Sequence, residues 1–197
     1  MSKPIMASSC ALIDNTFGPH AGDCRGGFDL TLLFEESILI VPLCCLLLLA
    51  APIRVAYLLR KGVLKVEKSP LLYCKFISIV LLIGAQIGIL VLWTRPSAVS
   101  TRASLPAAAL SLVSSIALLP LSYAEQIYST RPSTILNLFL LLAILFYATY
   151  TRTLWLQDDN QPIAIATLLA TLLKIIIIVF EAIEKHKILQ SVPLFAP

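Results

Sequence analysis

The sequence predicts an all-α integral membrane protein with five transmembrane helices, an amino terminus outside and a cytoplasmic carboxyl terminus. Of its 197 residues, 58% are hydrophobic and only 13% are charged, whereas a soluble domain carries about 25% charged residues. A spanning helix needs about 20 apolar residues to cross about 30 Å of hydrocarbon. Five stretches between charged residues approach or reach that length: 37–53, 76–94, 103–124, 132–151 and 160–180, the last interrupted only by Lys174.

The basic residues predict the orientation of the helices. Lys and Arg accumulate in cytoplasmic loops next to membrane helices. The segment that follows the first apolar stretch contains one acidic residue, Glu67, and five basic ones: Arg54, Arg60, Lys61, Lys65 and Lys68. The first helix is therefore predicted to have its amino end outside, and the later spans alternate from there.

The predicted organisation is an extracytoplasmic tail over residues 1–29, a five-helix domain over 30–187 and a cytoplasmic tail over 188–197. The predicted spans are about 33–53, 70–94, 104–124, 132–152 and 162–181. Prolines stand near the starts of the later spans, where a missing N–H costs nothing. Pro42 lies inside the first span and predicts a kink there. No basic leader precedes an apolar run at the amino terminus, so we expect no cleaved signal peptide.

The five cysteines fall into two groups. Cys10 and Cys24 lie in the predicted outer tail, which faces an oxidising compartment in which a disulfide can form. Two free thiols in a mobile tail are the alternative, and the sequence leaves both open. The other three have no Cys or His neighbours at metal-ligand spacing, so the sequence indicates no metal site.

Small and polar residues inside the spans predict helix packing. Gly84 and Gly88 have the GxxxG spacing, and Ser111 and Ser115 repeat a small-residue spacing on the third span, which lets two helix backbones approach closely. Asn137 can hydrogen-bond between helices. The same residues are also compatible with a polar pathway, but isolated amides and hydroxyls favour packing.

Three charged residues in or beside the spans are candidate functional groups. Lys174 interrupts an apolar run, and an ionisable group there is by default a functional candidate. It precedes Glu181 by one to two helical turns, so we expect its long stem to carry the ammonium to the inner membrane surface. Glu35 and Glu36 begin the first span. Helix neighbours point about 100° apart, so we expect at most one of them to face the bundle while the other meets water.

Familiar catalytic motifs are absent from the sequence. It contains no GxxxxGK[ST], GxGxxG, HExxH or GxSxG, and its two histidines, His20 and His186, are predicted on opposite sides of the membrane. The basic residues follow the predicted topology and form no single stripe. We therefore expect no catalytic residues, no cofactor, no metal, no nucleotide and no nucleic-acid partner. The partner that composition implies is the lipid bilayer.

Several stretches carry a resemblance to a known family. They are Asp14 with Phe17-Gly18-Pro19, then residues 24–36, 101–104 with 106–111, 122–123 with Glu125, 131–138, 152–156 and 174–185. In matching order, over about residues 10–187, the chain resembles the amino-terminal five-helix domain of fungal ABC transporters of the multidrug-resistance-associated (C) subfamily. Tyr147 stands where the family pattern implies an acidic residue, so no role that depends on that acid is expected here.

The resemblance implies a domain that precedes two six-helix transport domains and two nucleotide-binding domains in exporters of drugs, conjugates and metabolites. It implies roles in trafficking, stability and partner binding. The expected location is the plasma membrane or the vacuolar membrane. The expected partner is a larger ABC transporter or another membrane protein.

The leading hypothesis is a stand-alone or truncated copy of this domain that acts as an accessory or regulatory partner through helix packing and hydrolyses no ATP itself. A remnant of a broken gene fits the same sequence. The first alternative is a small intramembrane enzyme, a cyclase or isomerase of a lipid-like metabolite, with Glu35 or Glu36 as proton donor. The second is a transporter formed by oligomerisation through Gly84 and Gly88.

Overall fold

A short β-hairpin precedes five long helices in the computed structural model. The structure describes residues 13–22, 27–61, 70–96, 98–129 and 133–191. Cys10 and Cys24, the candidate disulfide pair, lie outside these residues. Strands β1 (Pro19–Gly22) and β2 (Gly27–Leu30) pair antiparallel, with Pro19 opposite Leu30 and Gly22 opposite Gly27. This hairpin was not predicted from the sequence.

The helices account for most of the described chain. Helix α1 runs from Leu32 to Lys61 in three consecutive parts, α-helical at Leu32–Phe34, π-helical at Glu35–Ile40 and α-helical at Val41–Lys61. The others are α2 (Pro70–Trp93), α3 (Ser104–Tyr128), α4 (Thr134–Trp155) and α5 (Gln161–Ser191), with a 3₁₀ turn at Asp158–Asn160 before α5. All five helices are long and apolar enough to cross a membrane. The predicted fold class is confirmed, and the orientation stays a prediction.

Proline placement explains the irregular start of α1. Pro42 has no N–H, so it cannot donate the hydrogen bond that an α-helix makes to the carbonyl four residues earlier. In the π-helical part the backbone bonds five residues back, as between the Val41 N–H and the Glu36 carbonyl. Beyond Pro52 the helix continues to Lys61, so the segment after Ile53 extends α1 where the predicted span had ended.

The helices pack in a closed ring. Around the bundle the order of neighbours is α1, α3, α2, α5 and α4, and α4 returns to α1. Leucine, isoleucine and alanine fill much of the centre, for example Leu47, Leu82, Leu118, Leu140 and Ile177. Large apolar residues also cover the outer faces of all five helices. A helix that is apolar on every side is typical of a membrane span.

The glycine pair on α2 does not join helices of this chain. A Cβ added at Gly84 or Gly88 would meet no atom within 4 Å. The described helices therefore do not use these glycines for close contact with one another, and the predicted helix packing at this pair stays a prediction. Their spacing permits close approach, but this face of α2 points away from the other helices of the described chain.

Candidate functional site

Many polar residues of the bundle form four largely buried clusters, and each cluster joins two or more helices. The Glu36 cluster and the Tyr147 cluster lie toward one end and the middle, and the Lys75 cluster and the Glu125 cluster lie at the other end. Burying a polar group in an apolar bundle is unfavourable unless it finds a partner. The clusters are therefore the places where the sequence departs most from a simple membrane anchor.

The Glu36 cluster consists of Glu36, Thr101, Ser104 and Tyr150. Tyr150 donates a hydrogen bond of 2.9 Å to Oε1 of Glu36, and the Thr101 hydroxyl donates to Oε2. The Thr101 N–H donates to Ser104 Oγ at 2.9 Å. The carboxylate of α1 thus holds the α2–α3 connection and the end of α4 together.

Both glutamates of this region are buried, which corrects the expectation that one of them meets water. Glu35 is 1% exposed and Glu36 is 0% exposed. The reason is a layer of chain before α1 that packs beside them. The ring centroids of Phe17 and Phe34 lie 5.5 Å apart, and the Thr31 hydroxyl donates to the Thr16 carbonyl at 2.8 Å.

Asn160 ties the connections at the same end. Its Nδ2 donates to the Val99 carbonyl at 3.1 Å, and its Oδ1 accepts from the Val99 N–H at 3.1 Å. Gln157, which also contacts Asn160, donates from Nε2 to Oδ2 of Asp14 at 2.6 Å. These bonds join the α2–α3 connection, the α4–α5 connection and the segment before α1. Asn160 was not predicted from the sequence, because nothing in its neighbourhood marks which loop it faces.

An open cleft of about 630 Å³ adjoins the Glu36 cluster and is lined by Asn15, Leu33, Ser100, Thr101 and Arg102. Neither glutamate is among these lining residues. Both carboxylate oxygens of Glu36 accept hydrogen bonds from protein hydroxyls. These contacts are those of a structural acceptor, and they add no support to the proposal that Glu36 is a proton donor to a substrate.

The Tyr147 cluster consists of Cys44, Ser111, Tyr147 and Lys174. Tyr147 donates a hydrogen bond of 2.6 Å to Ser111 Oγ, which in turn donates to the Ala107 carbonyl at 2.8 Å. Cys44 Sγ lies 3.8 Å from Ser111 Oγ. Ser111 therefore lies where α1, α3 and α4 meet.

Two other predicted packing residues behave differently from each other. Ser115 is buried on the same face of α3 and donates to the Ser111 carbonyl at 2.8 Å. Asn137 on α4 has a buried Oδ1 that accepts no hydrogen bond from the described residues. The interhelical hydrogen bond expected at Asn137 Oδ1 is thus not formed.

Lys174 does not extend to the membrane surface, so that expectation is wrong. Its side chain is 3% exposed, and Nζ lies 3.0 Å from the centroid of the Tyr147 ring. An ammonium over an aromatic face is attracted by the ring quadrupole. Because α5 continues to Ser191, Lys174 lies about 25 Å along the helix axis from that end. The aromatic face of Tyr147 thus receives the ammonium at the position where the resemblance implied an acid.

The Lys75 cluster consists of Lys75 on α2 and Glu181 and Glu184 on α5. Lys75 Nζ donates to Oε2 of Glu181 and lies 3.8 Å from Oε2 of Glu184. All three side chains are buried. Within the described part of the chain, no group of three or more His, Cys, Asp and Glu residues is placed to hold a metal ion. The cluster is an ion-pair lock between α2 and α5.

The Glu125 cluster consists of Arg54, Glu125, Ser133 and Lys185. Oε1 of Glu125 accepts from Arg54 Nε at 2.8 Å and from Ser133 Oγ at 2.9 Å. Lys185 Nζ donates to the carbonyls of Glu125 and Ser129, at 3.1 and 2.8 Å. These carbonyls end α3, where a cation is favourable. The cluster joins α1, α3, α4 and α5.

The family follows from a comparison with known proteins. A family model described as the ABC transporter TMD0 domain matches residues 15–166. The chain belongs to the ABC transporter TMD0 domain family. This membership and the five apolar helices make it a multi-pass membrane protein. The matched region includes the Glu36 cluster and all of α1 to α4, whereas the acidic residues of the Lys75 cluster lie beyond it.

Relatives of this TMD0 domain are fungal transporters. An ABC-type transporter of Gibberella zeae is 60% identical over 184 residues, which are 93% of this chain and 12% of that protein. ABC multidrug transporter B of Aspergillus fumigatus is 42% identical over 187 residues, 93% of this chain and 13% of that protein. The chain thus spans about an eighth of the length of these relatives. No solved structure matches it.

Tyr150 provides a test of the Glu36 cluster in this TMD0 domain. Tyr150→Phe keeps the ring but leaves Oε1 of Glu36 buried without its donor, which we expect to lower the free energy of unfolding by about 1–2 kcal/mol. Far-UV circular dichroism of the purified chain during heating in mild detergent measures the loss. Tyr123→Phe is the matched control, because Tyr123 is exposed on α3. If the two variants unfold at the same temperature, the hydrogen bond from Tyr150 to Glu36 does not stabilise the domain.

Proposed function

We propose that this TMD0 domain serves as an accessory and regulatory module of an ABC exporter, acts by packing its helices against a membrane partner, and hydrolyses no ATP itself. The observation that carries the proposal is the match to ABC transporters, in which the region similar to this chain covers about an eighth of the length. The 197 residues contain no GxxxxGK[ST] motif to cradle a nucleotide. A larger ABC transporter is the partner that best fits this sequence, with another membrane protein as the alternative.

The distribution of polar groups supports a packing role. The described ion pairs and side-chain bonds between helices lie in the four clusters and connect helices of the chain to one another. The outer faces carry apolar side chains. In a bilayer such faces associate mainly through van der Waals packing and close backbone approach. The proposed contact with the partner therefore depends on shape complementarity, and the exposed GxxxG face of α2 is the best candidate for it.

Reconstitution of the pair tests the proposal. The tagged chain is co-expressed with the Gibberella zeae relative from which the residues matching this chain have been removed, and the complex is purified in mild detergent. We expect near-stoichiometric recovery of the two proteins and a higher amount of folded transporter in the membrane. Recovery no greater than that with an unrelated five-span protein would contradict an accessory role toward this class of transporter.

Gly84→Leu separates the fold of the domain from its contact with a partner. Because an added Cβ at Gly84 meets no atom within 4 Å and leucine favours a helix more than glycine does, we expect the stability of the isolated chain not to fall by more than about 0.5 kcal/mol. We expect co-purification with the transporter to fall, since leucine blocks close approach. Ala148→Leu adds the same side chain on the exposed face of α4 and is the control. Equal recovery with both variants would argue against the α2 face as the contact.

A further inference from the structure

A small cavity lies in the middle of the bundle, between the Glu36 cluster and the Tyr147 cluster. All five helices contribute to its wall. It leaves about 10 Å³ in which the centre of a water molecule can lie. Six of the lining residues carry polar atoms: Gln86, Trp93, Ser111, Tyr147, Tyr150 and Thr167.

Two of these residues have hydrogen-bond donors without acceptors. Gln86 Nε2 and Trp93 Nε1 are buried, and neither makes a hydrogen bond of ordinary geometry to the residues that the structure describes. Gln86 is 1% exposed and Trp93 is 5% exposed, so bulk water does not reach them. An unsatisfied buried donor costs about 1–3 kcal/mol. Both residues line the same cavity, which points to one acceptor that serves both.

The four hydroxyl groups of the wall, unlike the two N–H groups, already have acceptors for their protons. Each already donates its proton: Thr167 to the Ile163 carbonyl, Ser111 to the Ala107 carbonyl, Tyr147 to Ser111 and Tyr150 to Glu36. A hydroxyl oxygen that has donated its proton can still accept a hydrogen bond. The cavity therefore presents two N–H groups that need an acceptor and several oxygens that can accept from a donor.

We propose that this cavity binds one water molecule, which accepts from Gln86 Nε2 and Trp93 Nε1 and donates to hydroxyl oxygens of the wall. A buried water requires about 10–15 Å³ of this kind of space and two to four polar partners, and the site supplies both. The two N–H groups disfavour a cation. A monatomic anion has no proton to give to the hydroxyls, so water fits the complete set of groups.

The water changes how the clusters are connected. Glu36 bonds to Tyr150, and Tyr147 bonds to Ser111, but these two pairs share no direct hydrogen bond. A water between them joins the Glu36 cluster to the Tyr147 cluster. The resulting network extends from the start of α1 into the centre of the bundle. This network contributes to the rigidity of the domain independently of any partner.

The two tryptophans provide the test, because the chain contains only Trp93 and Trp155. The chain is labelled with ¹⁵N at tryptophan, placed in lipid nanodiscs and examined by NMR for cross-relaxation between water and each indole N–H. Trp155→Phe assigns the signals. We expect a cross-peak to long-lived water at Trp93, whereas the exposed Trp155 meets only rapidly exchanging solvent. Absence of the Trp93 cross-peak would overturn the proposal.

Gln86→Leu is the decisive variant. Leucine removes the Gln86 donor and has about the same size as glutamine. The Trp93 cross-peak should therefore be lost in Gln86→Leu. It should be unchanged in the control variant Thr94→Ala, because Thr94 is exposed. A cross-peak that persists in Gln86→Leu would overturn the assigned site. A crystal structure of the unaltered chain that resolves ordered waters provides a second readout, which holds even if the variant does not fold. Density bonded to both N–H groups supports the proposal, and a dry cavity refutes it.

Discussion

Lys75→Met is expected to lower the free energy of unfolding by about 3–5 kcal/mol, because it leaves buried carboxylates without their cation. Glu181 and Glu184 are fully or almost fully buried, and Lys75 is the cation with which both form ion pairs. Methionine keeps much of the length and apolar stem of lysine. The loss therefore reports the charge and its hydrogen bond, and it exceeds what a surface ion pair contributes.

Equilibrium unfolding in mixed detergent micelles, followed by far-UV circular dichroism, measures this effect. Lys187→Met is the matched control, since Lys187 is an exposed lysine on the same helix as the two glutamates. Adding Glu181→Gln to Lys75→Met removes one of the stranded charges and should recover part of the loss. A Lys75→Met variant as stable as Lys187→Met would show that the pair between α2 and α5 does not stabilise the bundle.

The Lys75 cluster also bears on the accessory role. It fixes α5 against α2, and α2 carries the exposed glycine pair proposed as the contact. Loss of the cluster should therefore disturb partner binding indirectly, through the position of α2. Gly84→Leu acts on the contact alone, so the two variants should differ in stability while both lower co-purification.

Hydropathy predicted that five spans exist, but not where two of them end. Arg54 and Glu181 were taken as the limits of apolar stretches, yet α1 continues to Lys61 and α5 to Ser191. A count of charged residues cannot distinguish a charge that meets water from one that is paired inside the bundle. Arg54 pairs with Glu125, and Glu181 pairs with Lys75, so the helices continue past them.

The clusters were harder to predict because their members are distant in sequence. Lys75 and Glu181 are 106 residues apart, and Glu36 and Tyr150 are 114 apart. The alternation of spans correctly predicted which residues share an end of the bundle, and opposite charges at one end were a signal for the Lys75 and Glu125 clusters. It did not predict the ring order of the helices, which determines which side chains are in contact. Lys174 was misplaced for the same reason, and Glu35 was misplaced because the packing of the segment before α1 was not predicted.

Arg54→Met is expected to destabilise the domain more than Glu125→Gln, although both break the same ion pair. Without Arg54, the carboxylate of Glu125 stays fully buried with the Ser133 hydroxyl as its remaining side-chain donor, which should cost about 3 kcal/mol. Glu125→Gln keeps an oxygen for Ser133. It leaves a guanidinium whose side chain is 29% exposed and lies 5.7 Å from the Tyr57 ring centroid, so the loss should be about 1 kcal/mol.

The same unfolding measurement ranks the two variants, with Arg60→Met as the control for an exposed arginine on α1. The reverse order would mean that the hydrogen bonds of Glu125, rather than the burial of its charge, dominate the cluster. The expected order follows from asymmetric exposure, because the partner that reaches water tolerates the loss of its neighbour and the buried partner does not. Arg54 should therefore be the less replaceable member of the contact that joins α1 to α3 and α4.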